Sequence, residues 1–213
     1  MCELPALRFD GDPGSSTIIV LAHGAGAPMD SAYMQWLAEG FSGQGLRVAR
    51  FEFPYMAKRR SDGRNSLPDR LPVLVATWLS VINALNGPRL VIGGKSMGGR
   101  VASIVAADMD ADVGPVRGVV CLGYPFHAPG REARPNRLEH LASMAIPTLI
   151  LQGNRDPFGG REDVSEYELS AAVRIHWIED GDHDMKPRRA SGRDWNQNRK
   201  EAMDALLGFV ADL

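Results

Sequence analysis

The distribution of apolar residues leaves this chain few folds to choose from. Six short runs, rich in β-branched residues, punctuate the sequence: Ser16 to Ala22, Leu46 to Phe53, Arg89 to Gly93, Arg117 to Gly123, Thr148 to Gln152 and Val173 to Ile178. Several are apolar almost throughout. A strand with one wet face alternates polar and apolar residues, whereas a strand apolar at every position is covered on both faces, as in parallel sheets. The stretches between the runs have helical spacing. Asp30 is placed to cap a helix carrying Met34, Trp36, Leu37 and Phe41, with Met29 and Met34 as a hydrophobic staple. Val75, Trp78, Leu79, Ile82 and Leu85 share one helical face, which Asn86-Gly87 closes. Val101, Ile104 and Val105 follow Gly98-Gly99, and Ala202, Ala205, Leu206, Phe209 and Val210 stripe a C-terminal helix. Strands alternating with helices predict an α/β fold: a mostly parallel sheet of about six strands, right-handed crossovers and helices on both faces, in one domain spanning residues 1–213.

Two segments fit neither pattern. Tyr55 to Leu71 is polar and basic, and Pro125 to Pro135 is proline-rich. Each follows a strand, so each belongs at the carboxyl edge of the sheet, where such sheets bind ligands. The connection from Tyr124 to Pro147 has room for one short helix, Asn136 to Met144, which is too little for a cap domain.

Composition narrows the function classes. With 213 residues, 44% of them hydrophobic, the chain can bury a sizeable core. A formal net charge of −2 gives no general attraction to nucleic acid or to anionic membrane, and neither is expected as a partner. No apolar run reaches the roughly 20 residues that span a bilayer, and Met1 to Ser16 reads as neither a signal peptide nor a lipoprotein leader. Two cysteines are too few for a disulfide framework; Cys2 is terminal, and Cys121 within Val119-Val120-Cys121-Leu122 reads as a buried thiol. A cytoplasmic protein, monomeric or weakly dimeric, is expected.

The chemistry concentrates at strand ends. Gly94-Lys95-Ser96-Met97-Gly98 fits G-x-S-x-G between a strand and a helix, the context that holds a serine on a strained tip with its hydroxyl exposed. A serine hydroxyl is a poor nucleophile without a base, usually a histidine oriented by a carboxylate. Asp156 follows the strand Thr148 to Gln152, and His183 follows Val173 to Ile178, giving the order Ser, Asp, His. Of the five histidines, His23 belongs to another loop, while His127, His140 and His176 read as packing or surface residues. Asp182 and Asp184 flank His183, but adjacent residues rarely orient an imidazole, so Asp156 is the expected acid. His23-Gly24-Ala25-Gly26 is a glycine-rich loop that can aim a backbone N–H at an oxyanion; Ala25 and Met97 are the expected donors. The loop lacks the G-x-G-x-x-G of a dinucleotide site, and no cofactor is expected. Asp180, Asp182, His183 and Asp184 could by composition hold a cation, yet the chain has no H-E-x-x-H and no Cys/His cluster, so no metal is expected.

These motifs together resemble the α/β-hydrolase superfamily, in particular its small cap-less branch near dienelactone hydrolases. Phe51-Glu52-Phe53-Pro54-Tyr55, Gly123-Tyr124-Pro125-Phe126-His127 and Lys186-Pro187-Arg188 also resemble the testis-expressed and chromatin-complex α/β-hydrolase-like group and its bacterial relatives. The resemblance runs from about Ser16 to the C-terminus. It implies an α/β-hydrolase sheet and cofactor-free hydrolysis of esters or related acyl compounds. Dienelactone hydrolases are expected to carry cysteine where this chain has Ser96, so lactone specificity does not carry over.

The expected substrate is a small to medium soluble ester reached directly from solvent. Lys95 and Tyr55 are candidate substrate contacts. Lys95, with Lys58, Arg59, Arg60, Lys186, Arg188 and Arg189, would form a cationic rim favouring anionic acyl groups, unless Asp62, Asp69, Asp182 and Asp184 neutralise it. A thioesterase or amidase would use the same machinery, and a partner-binding scaffold without activity is the alternative from another class.

Overall fold

The computed structural model describes residues 3–85, 89–112, 114–131 and 137–213. Cys2, the Asn86-Gly87 helix stop, Pro135 and the start of the short helix at Asn136 lie outside them. The sheet has seven strands in the order β1-β3-β2-β4-β5-β6-β7. They are β1 (Leu7–Asp10), β2 (Thr17–Ala22), β3 (Arg47–Phe51), β4 (Arg89–Lys95), β5 (Val116–Leu122), β6 (Thr148–Gly153) and β7 (Val173–Ile178). All six anticipated strands are present and mutually parallel. β1 was not anticipated. It is an antiparallel edge strand on β3, only four residues long and partly exposed, so its sequence carries no apolar run. Arg50 of β3, 1% exposed, anchors it. The guanidinium donates to Asp10 Oδ2 from Nη2 at 2.7 Å and from Nε at 3.1 Å, and to the Met29 carbonyl at 2.9 Å.

Seven helices are described: α1 (Ala32–Ser42), α2 (Pro54–Asp62), α3 (Leu71–Ala84), α4 (Met97–Ala107), α5 (Glu139–Ala142), α6 (Arg161–Ser165) and α7 (Trp195–Ala211). Side chains alternate along each strand, so the strands feed two cores. Ile18, Val20 and Ala22 of β2 face a core with Trp78 of α3 and Val101 of α4. Ile19 and Leu21 face the other, with Met34 and Phe41 of α1 and Leu206 of α7. Among the described residues no cap domain is inserted, and no helix is long and apolar enough to cross a membrane.

Three local expectations need correcting. The basic half of Tyr55 to Leu71 is helical, because Pro54 starts α2 and Gly63 at φ +66° ends it. α1 starts after Ser31, not Asp30; the Asp30 carboxylate instead accepts from Arg60, at 2.8 Å. α3 is rolled relative to its expected face: Leu74, Thr77, Trp78, Val81 and Ile82 are buried while Leu79 is 40% exposed.

β2 and β4 are neighbours whose connections leave toward opposite edges of the sheet, to β3 and to β5. This is the switch point of the topology, where a crevice opens beyond the strand ends.

His140 has a structural role. Ser103 and Tyr124 donate their hydroxyl protons to the Arg100 and Arg137 carbonyls, so His140 Nε2 donates to Ser103 Oγ at 2.9 Å. Burial, with Arg100 nearby, pulls the imidazole down to about 4 from 6.5. Between those values the unfolded chain binds more protons than the folded one, so this contribution to stability is complete above about pH 6.5 and erodes as pH falls toward 4. Urea unfolding at pH 7.5 and pH 5 should therefore show a loss of stability at the lower pH, and His140→Gln should reduce that loss; an equal loss in both proteins would contradict this assignment.

Candidate active site

Ser96 sits between the end of β4 and the start of α4, at φ +51° and ψ −117°. A non-glycine residue at positive φ is strained, and the surroundings must hold it there. The Ser96 N–H donates to the Leu122 carbonyl of β5 at 2.8 Å. Glycines let the backbones close in around the turn. A Cβ on Gly94, at φ +147°, would lie 2.0 Å from the Ala22 carbonyl oxygen, and one on Gly98 would lie 2.4 Å and 2.6 Å from the Ala22 and His23 oxygens. The serine turn is thus pressed against the loop after β2.

The structure brings Ser96, His183 and Asp156 together. His183 Nε2 is 3.0 Å from Ser96 Oγ, and His183 Nδ1 is 2.8 Å from Asp156 Oδ2. Donation from Nδ1 to the carboxylate leaves Nε2 as the acceptor facing the hydroxyl. Asp156 is 2% exposed, and a buried carboxylate needs donors. Gln152 Nε2 donates to Oδ2 at 2.9 Å and the Phe158 N–H to Oδ1 at 2.9 Å. Gln152 is itself fixed, exchanging hydrogen bonds with both the N–H and the carbonyl of Tyr124. The Phe158 ring lies against the imidazole, centroids 4.4 Å apart.

The loop carrying His183 is braced by its charged residues. Asp182 accepts from the Asp184 and Lys186 N–H groups, both at 2.9 Å, and Asp180 pairs with Arg155 and Arg188. These carboxylates are thereby engaged, and among the described residues no group of three or more acidic, histidine or cysteine side chains gathers as a metal site would need.

The loop His23-Gly24-Ala25-Gly26 is fixed from the opposite side. His23 is fully buried; Nδ1 donates to the Gly24 carbonyl at 2.7 Å, and Nε2 accepts from the Phe53 N–H at 3.1 Å. Burial pulls its pKa down, which suits this neutral, bridging role. The Gly24 carbonyl is thus pinned, and the planar trans peptide points the Ala25 N–H the opposite way. The Met97 N–H opens α4 and has no partner within that helix. A pocket of about 530 Å³ opens here, walled by Ala25, Tyr33, Ser96, Phe158, His183 and Trp195 among others. Burial and the nearby Asp184 hold the Tyr33 phenol protonated.

Residues 15–211 match the family model described as an alpha/beta hydrolase domain. The chain belongs to the α/β-hydrolase family. Solved structures with the same architecture include a dienelactone hydrolase from Anabaena variabilis, 21% identical, with TM-score 0.69 over 93% of this chain and 88% of that one. An alpha-beta serine hydrolase homologue from Coxiella burnetii is 20% identical, with TM-score 0.67 over 97% and 90%. Est1E from Butyrivibrio proteoclasticus is 14% identical, with TM-score 0.67 over 96% and 94%. At these identities the likeness is one of fold.

Of the two candidate substrate contacts of this α/β hydrolase, Tyr55 is placed otherwise than expected and Lys95 lines the pocket. Tyr55 is 3% exposed, and its hydroxyl donates to the Ala25 carbonyl at 3.0 Å, so it supports the loop from behind. Lys95 borders the pocket, but its buried ammonium donates to the His183 carbonyl and pairs with Asp184 at 3.2 Å. Burial pulls that ammonium below its ordinary range, opposed by Asp184. The expected cationic rim is neutralised in part, with Lys58, Lys186 and Arg189 making no ion pair among the described residues. Arg60 pairs with Asp30 and Glu52, Arg188 with Asp180, and Arg59 is taken up by the Ser66 and Ala25 carbonyls.

Gln152, Phe158, Tyr33, Trp195 and Arg199 escaped the sequence reading. A polar Gln152 in an otherwise apolar strand was a signal, since a buried amide requires partners. Trp195 and Arg199 stand four apart on α7, and such residues share a helical face.

The close approach at Gly98 yields a prediction. Gly98→Ala forces the serine turn away from the β2 loop, and overpacking of this kind typically costs about 1–3 kcal/mol. For a protein of this size the melting temperature should fall by roughly 3–10 °C, and labelling by a fluorophosphonate should slow. Wild-type values for both would show that the turn tolerates the methyl group.

Proposed function

We propose that this α/β hydrolase is a serine hydrolase that cleaves small to medium soluble carboxylic esters through an acyl-enzyme. One observation carries the reading: a continuous hydrogen-bonded chain from the hydroxyl of a strained serine, through an imidazole, to a buried carboxylate. The open pocket beside that serine supports it, as do fold neighbours named as a serine hydrolase homologue and a dienelactone hydrolase.

In the first step His183 Nε2 takes the Ser96 proton as Oγ attacks the ester carbonyl. The developing oxyanion accepts from the Ala25 and Met97 N–H groups, each such donor being worth about 10²–10³ in rate. The imidazolium, held by Asp156, returns the proton to the departing alcohol. Water then enters, gives its proton to His183 and attacks the acyl carbon; collapse of that intermediate releases the acid and restores Ser96. The roles of Ser96, His183 and Asp156 require no cofactor. Because the pocket opens directly to solvent and, among the described residues, no cap covers it, soluble esters suit it.

Ser96→Ala should lower kcat on a p-nitrophenyl ester by about 10⁴-fold or more. It should abolish fluorophosphonate labelling while leaving the melting temperature within a few degrees of wild type. A folded variant that retains turnover would refute the role of Ser96. A wild-type protein inert to esters and to the fluorophosphonate would favour the non-catalytic scaffold.

A further inference from the structure

We propose that the Arg199 guanidinium, set against two indoles in the wall of the Ser96 pocket, receives a carboxylate carried by the substrate. This rests on the hydrolase reading above and adds a substrate class to it.

Arg199 lines the same pocket as Ser96 and His183. Its Cζ stands 3.7 Å over the Trp195 ring and 5.2 Å from the centre of the Trp36 ring. Trp195 is fixed in turn, its indole N–H donating to the Asp184 carbonyl, next to His183, at 3.1 Å. The guanidinium is therefore positioned relative to the His183 loop. Stacking engages its face and its charge but not its N–H edge, which carries five donors in the plane. Among the described residues no acceptor meets any of them: Arg199 makes no side-chain hydrogen bond or ion pair, and its Nε is buried without a partner. Buried polar groups are rarely left so. Five buried side-chain polar atoms lack partners among the described residues, and two of them, Arg199 Nε and Ser31 Oγ, belong to residues of this one pocket. Those two atoms are enclosed by protein; the Nη donors of Arg199, which have no protein acceptor and are not enclosed in this way, are the ones a polar ligand group in the pocket would meet.

Charge decides which group. Lys95 and Asp184 also face the pocket, and they pair with each other. Among the described residues lining this pocket, Arg199 is the positive charge left unpaired. It also borders a neighbouring cleft with Glu39 and Asp204 but makes no ion pair with either, so one negative charge on a ligand matches it. A planar guanidinium fork binds a carboxylate bidentately and holds it in a fixed orientation. The intervening wall is apolar, with Ala25, Ala27, Phe158 and Tyr33, and suits a hydrocarbon spacer between the scissile carbonyl and that carboxylate. A phosphate dianion would bring a second negative charge toward Asp184. The substrate class is accordingly an ester bearing a distal carboxylate. Among the described residues, Lys58, Lys186 and Arg189 of the expected rim are also unpaired but do not line the pocket; the unpaired cation that does line it is Arg199, on α7.

The test compares p-nitrophenyl hydrogen adipate with p-nitrophenyl hexanoate, two esters that differ in a terminal carboxylate, on wild type, Arg199→Met and Arg199→Lys. Wild type should prefer the adipate, and 0.5 M salt should narrow the preference. Arg199→Met should lower kcat/KM for the adipate at least tenfold more than for the hexanoate, and Arg199→Lys should recover part of that difference. An equal fall on both esters, or no change on either, would overturn the proposal. A second readout needs no turnover. Free adipate titrated against tryptophan fluorescence should give a saturable change in wild type and in Ser96→Ala, and none in Arg199→Met. If neither ester is hydrolysed but this titration behaves as stated, the hydrolase reading fails and the carboxylate site stands. No saturable change in wild type, or tighter binding of inorganic phosphate than of adipate, would overturn the carboxylate assignment.

Discussion

A carboxylate buried at the end of β6 sets the terms for the whole site. Asp156 is almost fully removed from water and must be given donors. Three converge on it: the Gln152 amide from the strand before it, the Phe158 N–H from the turn after it, and His183 Nδ1 from the loop beyond β7. The first two make the carboxylate part of a rigid frame. The third turns that frame into an orienting device, because an imidazole bound through Nδ1 presents Nε2 in one direction, and Ser96 Oγ lies there. Each part depends on the one before it. Tyr124 fixes Gln152, Gln152 and its own turn fix Asp156, and Asp156 fixes His183.

The other half of the site is made by closeness of backbones. At the switch point between β2 and β4 the serine turn and the glycine-rich loop approach until a single methyl group at Gly94 or Gly98 would collide with carbonyl oxygens. His23 and Tyr55 stand behind that loop and hold its carbonyls, which leaves its N–H groups turned the other way. Tyr55, which looked like a substrate contact, is thus a support. Lys95 lines the pocket, and its ammonium also ties the strand that leads to Ser96 to the backbone of His183 and to Asp184. Its neighbour Gly123 must lack a side chain, since a Cβ there would lie 2.7 Å from the His183 oxygen.

Electrostatics follow from pairing more than from composition. The stretch Lys58-Arg59-Arg60 and the residues after His183 look cationic when read in sequence. In space Arg60 and Arg188 are met by Asp30, Glu52 and Asp180, and Arg59 by backbone carbonyls. Among the described residues the unpaired cation lining the pocket, Arg199, lies on the last helix, far along the chain from Ser96 and from Lys58-Arg59-Arg60.

The sequence by itself determined the α/β class, the six parallel strands and the loops that bear Ser96, Asp156 and His183. These rest on local signals: apolar runs with strand spacing, glycines at sharp turns, and polar residues placed just past strand ends. It did not determine β1, whose four residues are held by pairing with β3 and by the contacts of Arg50 and Arg47. Nor did it determine which face of α3 is buried, that Asp30 pairs with Arg60 instead of capping α1, or that Tyr55 and Lys95 serve as braces. Only the tertiary structure decided those, for one physical reason. The fate of a charge or a hydroxyl depends on the nearest partner in space, and here those partners come from elements 20 to 90 residues away, such as Met29 with Arg50, Ala25 with Tyr55 and His183 with Lys95.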